Sequence, residues 1–125
     1  MVTKKFLILV VEDEASLRAA LKTKLAKEGY EVLEAANGLL GLDLALAKHP
    51  DLILLDIIMP VMDGMTMLGK LRQDHWGRSA KVIVLTNLSD TEKEVASEKE
   101  GVVKYLVKTN WRLEDLIKQV KLILR

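Results

Sequence analysis

The chain has 125 residues, of which 50% are hydrophobic and 30% are charged, a composition typical of one globular domain. Its formal net charge is +1, so it lacks the basic excess expected of a protein that binds nucleic acid directly. The apolar runs are strand-sized and too short for a membrane span or a signal peptide, and with no cysteine the chain has no disulfide, so we expect one cytoplasmic domain over residues 1–125.

Four apolar runs of strand length occur along the chain. They are Lys5–Val11, Leu52–Leu55, Lys81–Leu85 and Val103–Val107. Helical patterns separate them, and this alternation predicts βα units and a parallel sheet. Because crossovers between parallel strands are right-handed, we expect an α/β fold of the flavodoxin-like kind. This is a doubly wound (βα)5 sandwich, in which a five-stranded parallel sheet of order 2-1-3-4-5 has helices on both faces.

The helices are predicted from apolar residues that recur on one face. The expected core faces are Leu17, Leu21 and Leu25 in Ala15–Lys27, Gly41, Leu42 and Ala45 in the second helix, Met65, Leu68 and Leu71 in Met65–Gln73, and Leu113, Leu116, Ile117, Val120 and Leu124 in the fifth. The expected caps are Asn37 for the second helix, a capping box over Ser89–Glu92 for the fourth and Asn110 for the fifth.

The fourth helix differs from the others in having little to bury. Between Asp90 and Glu100 the only apolar residues are Val95 and Ala96. Elements that rearrange in switching are drawn from the less stable parts of a structure, so this helix suits a signalling surface. The alternative is a solvated edge helix with no such role.

Polar side chains follow each of the four apolar runs. They are Glu12, Asp13 and Glu14, then Asp56, then Thr86 and Asn87, and finally Lys108 and Thr109. Open α/β sheets place their sites beyond the carboxyl ends of the strands, where we expect these residues to meet. An Asp before a turn with Pro and Gly is also ordinary turn chemistry, so Asp56 by itself leaves both interpretations open. The four strand ends together favour a site.

The residue types at this edge suit a divalent cation and a phosphoryl group. Mg²⁺ prefers oxygen ligands, which Glu12, Asp13 and Asp56 could supply, and a bound cation would relieve the repulsion among these acids. Lys108 and Thr86 could contact phosphoryl oxygens, one as a positive charge and the other as a hydrogen-bond donor. Asp56 would be the nucleophile, because phosphoryl transfer needs little beyond positioning and charge neutralisation.

In this order and spacing the motifs resemble the CheY-like receiver domain of two-component response regulators, over essentially the whole chain. The matching residues are Val11–Glu14, Leu54–Asp56, Met59 and Pro60, Asp63 and Gly64, Val84–Thr86, Gly101 and Tyr105–Lys108. The resemblance implies that Asp56 accepts a phosphoryl group from a phosphohistidine, in an Mg²⁺-dependent transfer that the receiver itself promotes without being a turnover enzyme. It also implies that Asp13 and Asp56 bind the metal directly, that the backbone carbonyl of Ile58 adds a ligand, and that Glu12 helps, often through water.

The resemblance further assigns the phosphoryl contacts and the output. Thr86 and Lys108 contact the phosphoryl oxygens, and Thr86 and Tyr105 form a switch pair that reports to the surface of the fourth helix, fifth strand and fifth helix. The implied partners are a sensor histidine kinase or phosphotransfer protein and an unknown downstream protein. The chain would be a monomer or a phosphorylation-dependent dimer. Gly101–Lys104 lacks the acidic residues found there in many DNA-binding regulators, which weakens the expectation of their dimer mode.

The sequence departs from the family pattern in the loops around the site. Thr109 stands where receivers usually have a proline, so we expect a trans peptide bond and a different path into the fifth helix. Asn87 replaces a small residue and could narrow the entrance for bulky donors. Ile58 and Leu88 lie two residues beyond Asp56 and Thr86, where the family tunes hydrolysis. Both are apolar, so we predict slow loss of the phosphoryl group.

Three alternatives remain open at this point. A degenerate receiver could act as a phosphorylation-independent binding module. Asn87 and Thr109 support this alternative, because they depart from the family pattern. A phosphatase with a nucleophilic Asp would normally have a second acid at position 58, where this chain has Ile58. A flavodoxin-like cofactor binder would need a phosphate loop after the first strand, and none is recognisable. The sequence also leaves open whether the chain stands alone or was cut from a longer regulator or hybrid kinase.

Overall fold

In the computed structural model, residues 5–87 and 91–125 are described. Within these ranges the strands are β1 (Leu7–Val11), β2 (Glu31–Ala35), β3 (Leu52–Leu55), β4 (Val82–Thr86) and β5 (Lys104–Val107). The helices are α1 (Ala15–Lys27), α2 (Gly38–Lys48), α3 (Gly64–Gln73), α4 (Thr91–Lys99) and α5 (Leu113–Ile123). Short 3-10 turns cover Gly77–Ser79 and Lys108–Asn110. All five strands pair in parallel in the order β2-β1-β3-β4-β5, so the predicted fold is confirmed.

The sheet separates two apolar layers, because successive side chains of a strand point to opposite faces. In β1, Leu9 and Val11 pack into the layer that contains α2 and α3, whereas Ile8 and Val10 pack into the layer that contains α1 and α5. The central strands β3 and β4 are buried along their whole length. Their uninterrupted apolar sequence is therefore the consequence of helices on both faces.

Two glycines hold the loop that follows β3 against its neighbours. The N–H of Gly64 donates to the carbonyl oxygen of Ile57 at 2.8 Å, and a Cβ at this position would lie 2.1 Å from the carbonyl oxygen of Asp56. The N–H of Gly38 donates to the carbonyl oxygen of Met62 at 2.9 Å, and a Cβ there would lie 2.3 Å from the same oxygen. Any larger residue would push this loop away from the carboxyl edge of the sheet.

The predicted helix patterns are largely correct, with two corrections. The side chain of Asn37 caps α2 by accepting the N–H of Leu40 at 2.9 Å, as expected. In α3, Met65 packs against the core but is only half-buried, and the fully buried Met67 was missing from the predicted core face. The prediction that Asn110 caps α5 was wrong. A 3-10 turn covers Lys108–Asn110, and α5 begins only at Leu113.

The actual cap of α5 is Arg112, whose backbone N–H donates to Asp115 Oδ2 at 3.0 Å. The peptide bond between Lys108 and Thr109 is trans, as expected, and no cis bond occurs among the described residues. The predicted bounds of β3 are correct, and those of β1, β4 and β5 differ by one or two residues at one or both ends. Ser89 and Asp90 of the expected capping box, like Leu88, lie outside the described residues.

Helix α4 packs through a polar residue instead of an apolar stripe. Val95 is 43% exposed, whereas Ser97 is fully buried with its hydroxyl 3.4 Å from Met65 Sδ on α3. Arg72, at the end of α3, donates to the carbonyl oxygen of Glu100 at 2.6 Å, just beyond the end of α4. The expected scarcity of apolar anchoring on α4 is therefore present. Among the described residues, no helix is long and apolar enough to cross a membrane.

Candidate functional site

Three acids from two strand ends meet at the carboxyl edge of the sheet. Glu12 and Asp13 follow β1, Asp56 follows β3, and one carboxylate oxygen of each lies within 4.8 Å of the other two. Glu12 is only 3% exposed and Asp56 only 7%, whereas Asp13 is exposed. The parallel pairing of β1 with β3, with Val11 opposite Leu55, brings the two strand ends level.

Lys108 follows β5 and reaches across β4 to the acids. Its ammonium nitrogen forms an ion pair with Glu12 Oε1 and lies 3.3 Å from Asp56 Oδ2. The lysine side chain is itself only 12% exposed. A largely desolvated ammonium between two buried carboxylates makes charge-assisted contacts that are stronger than those of a surface ion pair.

The main chain fixes the position of the Asp56 carboxylate. The N–H of Asp56 donates to the carbonyl oxygen of Val11 at 3.0 Å, which continues the sheet ladder past the end of β3. The N–H of Ile57 donates to Asp56 Oδ1 at 2.8 Å. Oδ1 is thus held by the backbone, and Oδ2 is the oxygen that faces Lys108.

The crowding of these charges changes their proton affinities. Burial, followed by the hydrogen bond and the negative charge of Asp56, raises the pKa of Glu12 to about 7, against the partial opposition of Lys108. Burial alone would lower the pKa of Lys108. The hydrogen bond to Glu12 and the charges of Asp56 and Glu12 outweigh this effect, and the pKa of Lys108 lies above its usual value.

An open pocket of about 260 Å³ lies over this cluster. Its lining residues are Asp13, Glu14, Asp56, Ile58, Thr86, Asn87 and Lys108. Thr86, at the end of β4, is fully buried, and the side chain of Ile58 is 60% exposed at the pocket rim. The pocket is large enough for a phosphate-sized group, and Asn87 forms part of its wall.

The structure brings together most of the residues predicted for the site. Glu12, Asp13, Asp56 and Lys108 form one contact cluster, and Thr86 and the Ile58 side chain line the same pocket. Tyr105 does not line it. This residue is partly buried on β5 and packs with the layer of α2 and α3.

Sequence reasoning missed Arg18 of α1, whose guanidinium donates to the carbonyl oxygens of Glu12 and Asp13. The only sequence signal was its place in the first turns of the helix that follows the acids. A basic residue at that position is ordinary on a helix surface, so the signal alone carried no weight.

The sheet order and the acidic cluster with a lysine at the carboxyl edge place this chain in the class of doubly wound α/β domains with a site beyond the strand ends. A family model described as the response regulator receiver domain matches residues 8–121. The chain therefore belongs to the response regulator receiver domain family of two-component systems. Domains of this family are signalling domains and not turnover enzymes in the ordinary sense.

Several solved structures share the fold over nearly the full chain. The chemotaxis protein CheY4 of Vibrio cholerae matches with a TM-score of 0.88 and 30% identity, over 97% of this chain and 100% of that one. The response regulator TrrA of Thermotoga maritima, solved in complex with Mg²⁺-BeF, matches with a TM-score of 0.83 and 35% identity, over 95% and 99% of the two chains.

The curated relatives are longer than this chain. The response regulator ArlR of Staphylococcus aureus is 38% identical over 118 residues, which cover 94% of this chain and 52% of that protein. The probable transcriptional regulator ycf27 of Porphyridium aerugineum is 36% identical over 118 residues, which cover 94% and 48%. The chain thus spans about half the length of the curated relatives that it matches.

Proposed function

We propose that this protein is a phosphoacceptor receiver of a two-component phosphorelay, with Asp56 as the phosphorylated residue. The donor would be a phosphohistidine on a sensor histidine kinase or phosphotransfer protein. The observation that carries the proposal is the convergence of Glu12, Asp13 and Asp56 within 4.8 Å, with Lys108 paired to two of them. Residues 1–125 would act as one receiver domain, alone or within a longer regulator.

The acids fit Mg²⁺, the cation that the family implies. Glu12 Oε2 is buried without a hydrogen-bond partner, which is costly unless a cation or water satisfies it. Burial, followed by the hydrogen bond and the negative charge of Asp56, raises the pKa of Glu12, and a bound cation would oppose this effect. Asp13 and Asp56 would hold the ion directly with the Ile58 carbonyl, and Glu12 would assist. When bound, Mg²⁺ would neutralise charge on the phosphoryl oxygens.

The residues of the chain would position and stabilise the transferred group. Oδ2 of Asp56 would attack phosphorus, so that an O–P bond forms while the N–P bond of the phosphohistidine breaks and its electron pair stays on the ring nitrogen. With a proton already on the other ring nitrogen of the phosphohistidine, the leaving group is neutral imidazole. Lys108 lies 3.3 Å from that oxygen. Its ammonium would stabilise the negative charge that the transfer brings to the phosphoryl oxygens. The hydroxyl of Thr86 would donate to a phosphoryl oxygen.

The output would run through Thr86 and Tyr105 to the surface formed by α4, β5 and α5. Thr86 lies at the end of β4, and β5 pairs with β4 so that Tyr105 is opposite Val84. A change at Thr86 can therefore pass across one strand to Tyr105 and to α4. A downstream protein would read this surface, with the receiver acting as a monomer or as a phosphorylation-dependent dimer.

The test is the intact mass of the protein after incubation with Mg²⁺ and acetyl phosphate. We expect a phosphate-sized adduct that requires Mg²⁺ and is absent from Asp56→Asn. Asp63→Asn is the matched control, because Asp63 is an acid of the same loop whose Oδ1 caps α3 by accepting the Thr66 N–H at 2.8 Å. Asparagine is an equally good cap, so this variant should fold and label normally.

Two outcomes would count against the proposal. If no adduct forms under conditions in which another receiver is labelled, the protein is not a phosphoacceptor. The remaining alternative is then a phosphorylation-independent binding module. An adduct that persists in Asp56→Asn would place the phosphoryl group elsewhere and remove Asp56 from its role.

A further inference from the structure

Arg18 contacts the main chain of the two acids that follow β1. Its Nη1 donates to the carbonyl oxygen of Glu12 at 2.7 Å and approaches that of Asp13 at 3.5 Å. Arg18 is not among the residues that line the pocket. The guanidinium therefore contacts the acidic segment through backbone carbonyls and does not occupy the pocket that the carboxylates line.

Arg18 is held in turn by the edge strand of the sheet. Its Nε lies 3.8 Å from Glu34 Oε1 on β2, and Lys22 Nζ lies 3.3 Å from Glu34 Oε2. The next residue of β2, Ala35, accepts the N–H of Glu12 at 3.0 Å. The main chain at Glu12 is thus fixed from β2 on its amide side and from α1 on its carbonyl side.

Glu14 is the N-cap residue of α1, and its side chain accepts the hydroxyl of Ser16 at 3.1 Å instead of making a capping hydrogen bond. Because a peptide unit is planar, fixing the carbonyl of Glu12 also fixes the N–H and Cα of Asp13, and so the point at which the Asp13 side chain leaves the main chain. Asp13 is exposed, so packing does not orient it.

We propose that Arg18 is a positioning residue of the acidic pocket, which holds the backbone of Glu12 and Asp13 so that both carboxylates converge with Asp56 on a divalent cation. This rests on the proposed function. Glu34 acts through Arg18 by keeping its guanidinium in place. Outer residues that orient metal ligands typically change metal affinity by about 10- to 100-fold when they are removed.

The experiment is a titration of the whole chain with Mg²⁺ by isothermal calorimetry, with native protein, Arg18→Ala, Arg18→Lys and Glu34→Gln. We expect Arg18→Ala to weaken Mg²⁺ binding about tenfold or more. Arg18→Lys should recover only part of this loss, since the three donors of an ammonium share one nitrogen and do not reproduce the separate Nη1 and Nε that face the carbonyl of Glu12 and Glu34. Glu34→Gln should have a smaller effect in the same direction.

Lys22→Ala is the matched control, because it removes the other ion pair of Glu34 without touching the acidic segment. It should leave Mg²⁺ affinity unchanged. A second measurement needs no metal: amide hydrogen exchange should speed up at Asp13 and Glu14 in Arg18→Ala, relative to β3, and not in Lys22→Ala. If Arg18→Ala folds poorly, the Mg²⁺ affinities of Arg18→Lys and Glu34→Gln test the proposal in its place.

The proposal is overturned if folded Arg18→Ala binds Mg²⁺ like the native protein, or if it is less stable with unchanged affinity and unchanged local exchange. If native protein binds no Mg²⁺, the metal part of the proposed function fails instead. The exchange measurement then still decides whether Arg18 positions the segment.

Discussion

At the scale of single residues, Glu12 is the group whose ionisation the fold opposes most clearly. A carboxyl with a pKa near 4.5 when unperturbed and about 7 in the folded protein binds more protons folded than unfolded between those values. Its contribution therefore makes the metal-free protein less stable as pH rises through this window. The ionised Glu12 thus lowers the free energy of unfolding of the metal-free protein. Strongly shifted pKa values of this kind are common at functional sites.

Glu12→Gln should remove this pH dependence. In metal-free buffer, the free energy of unfolding of the variant should rise relative to that of the native protein as pH increases from about 4.5 to 7. Urea unfolding at intervals across this window measures the difference. Glu14→Gln, a change at an exposed acid of the same segment, should run parallel to the native protein. A Glu12→Gln curve that also runs parallel would show that Glu12 titrates normally.

Ile58 should slow the loss of the phosphoryl group, because its exposed apolar side chain lines the pocket and cannot orient an attacking water. Ile58→Asn should shorten the lifetime of the phosphorylated protein, because a polar side chain can orient an attacking water, and by less than the roughly 10²-fold of a dedicated general base. The lifetime is measured by chase and intact mass. Val61→Asn is the control, since Val61 is 76% exposed on the same loop with φ of 69°, a conformation that asparagine tolerates.

An unchanged or longer lifetime in Ile58→Asn would contradict this prediction. Leu88, the second position of the hypothesis, lies outside the described residues. The companion variant Leu88→Glu is expected to act in the same direction.

Individual residues differ in how far the sequence predicts them. Asp56 and Lys108 were predictable because each follows an apolar strand, and parallel strands end at one edge. The cap of α5 was not, since the 3-10 turn at Lys108–Asn110 delays the start of the helix. The sequence does contain a signal for the true start, an acid at Asp115 three residues after Arg112. It competes with Asn110, which is the better cap by residue type.

At the scale of elements, α4 depends on contacts at its C-terminal end. Arg72 donates to the carbonyl oxygens of Glu100, Gly77 and Ala80 at 2.6, 2.7 and 2.8 Å. One guanidinium thus joins the end of α3, the turn before β4 and the end of α4. Among the side chains of α4 that the structure describes, Ser97 is the buried one, so we expect the rest of the helix to be less firmly held than this end.

Arg72→Met should therefore loosen the end of α4 as well as destabilise the protein. Methionine keeps much of the apolar stem and removes the donors, and leaving part-buried carbonyls unpaired costs about 1.5 to 3 kcal/mol. Chemical denaturation measures the loss, and amide exchange should rise most around Glu100 and Gly101. Arg78→Met, at an exposed arginine beside the same surface, should do neither. Equal losses in both variants would show that the contacts of Arg72 do not stabilise this end.

Elements also differ in how clearly the sequence marks them. The buried strands β1, β3 and β4 were readable as continuous apolar runs because helices cover both of their faces. The edge strand β2 is half-exposed and carries Glu31 and Glu34, so it has no such run. Its place in the sheet followed from the expected topology and not from its own residues.

At the scale of the whole molecule, Mg²⁺ should stabilise the folded protein, because only the folded state gathers the acids. Binding to the folded state alone adds about 1.4 kcal/mol when Mg²⁺ is present at about ten times its dissociation constant. Thermal unfolding with Mg²⁺ and with a chelator measures the shift in Tm. Asp13→Asn, a change at an exposed residue, should fold normally and lose most of the shift. A native Tm that is indifferent to Mg²⁺ would argue against metal binding.

The pairing of Lys108 with the acids has a consequence for electroneutrality. The cluster of Glu12, Asp13, Asp56 and Lys108 carries two formal negative charges when all three acids are ionised. A divalent cation balances the charge of this cluster, whereas a monovalent one does not. The proposed phosphorylation would convert the Asp56 carboxylate to a mixed anhydride and so replace a single negative charge by the two of a phosphoryl group. We expect this one additional negative charge to act first on Lys108, the ammonium that lies 3.3 Å from Asp56 Oδ2.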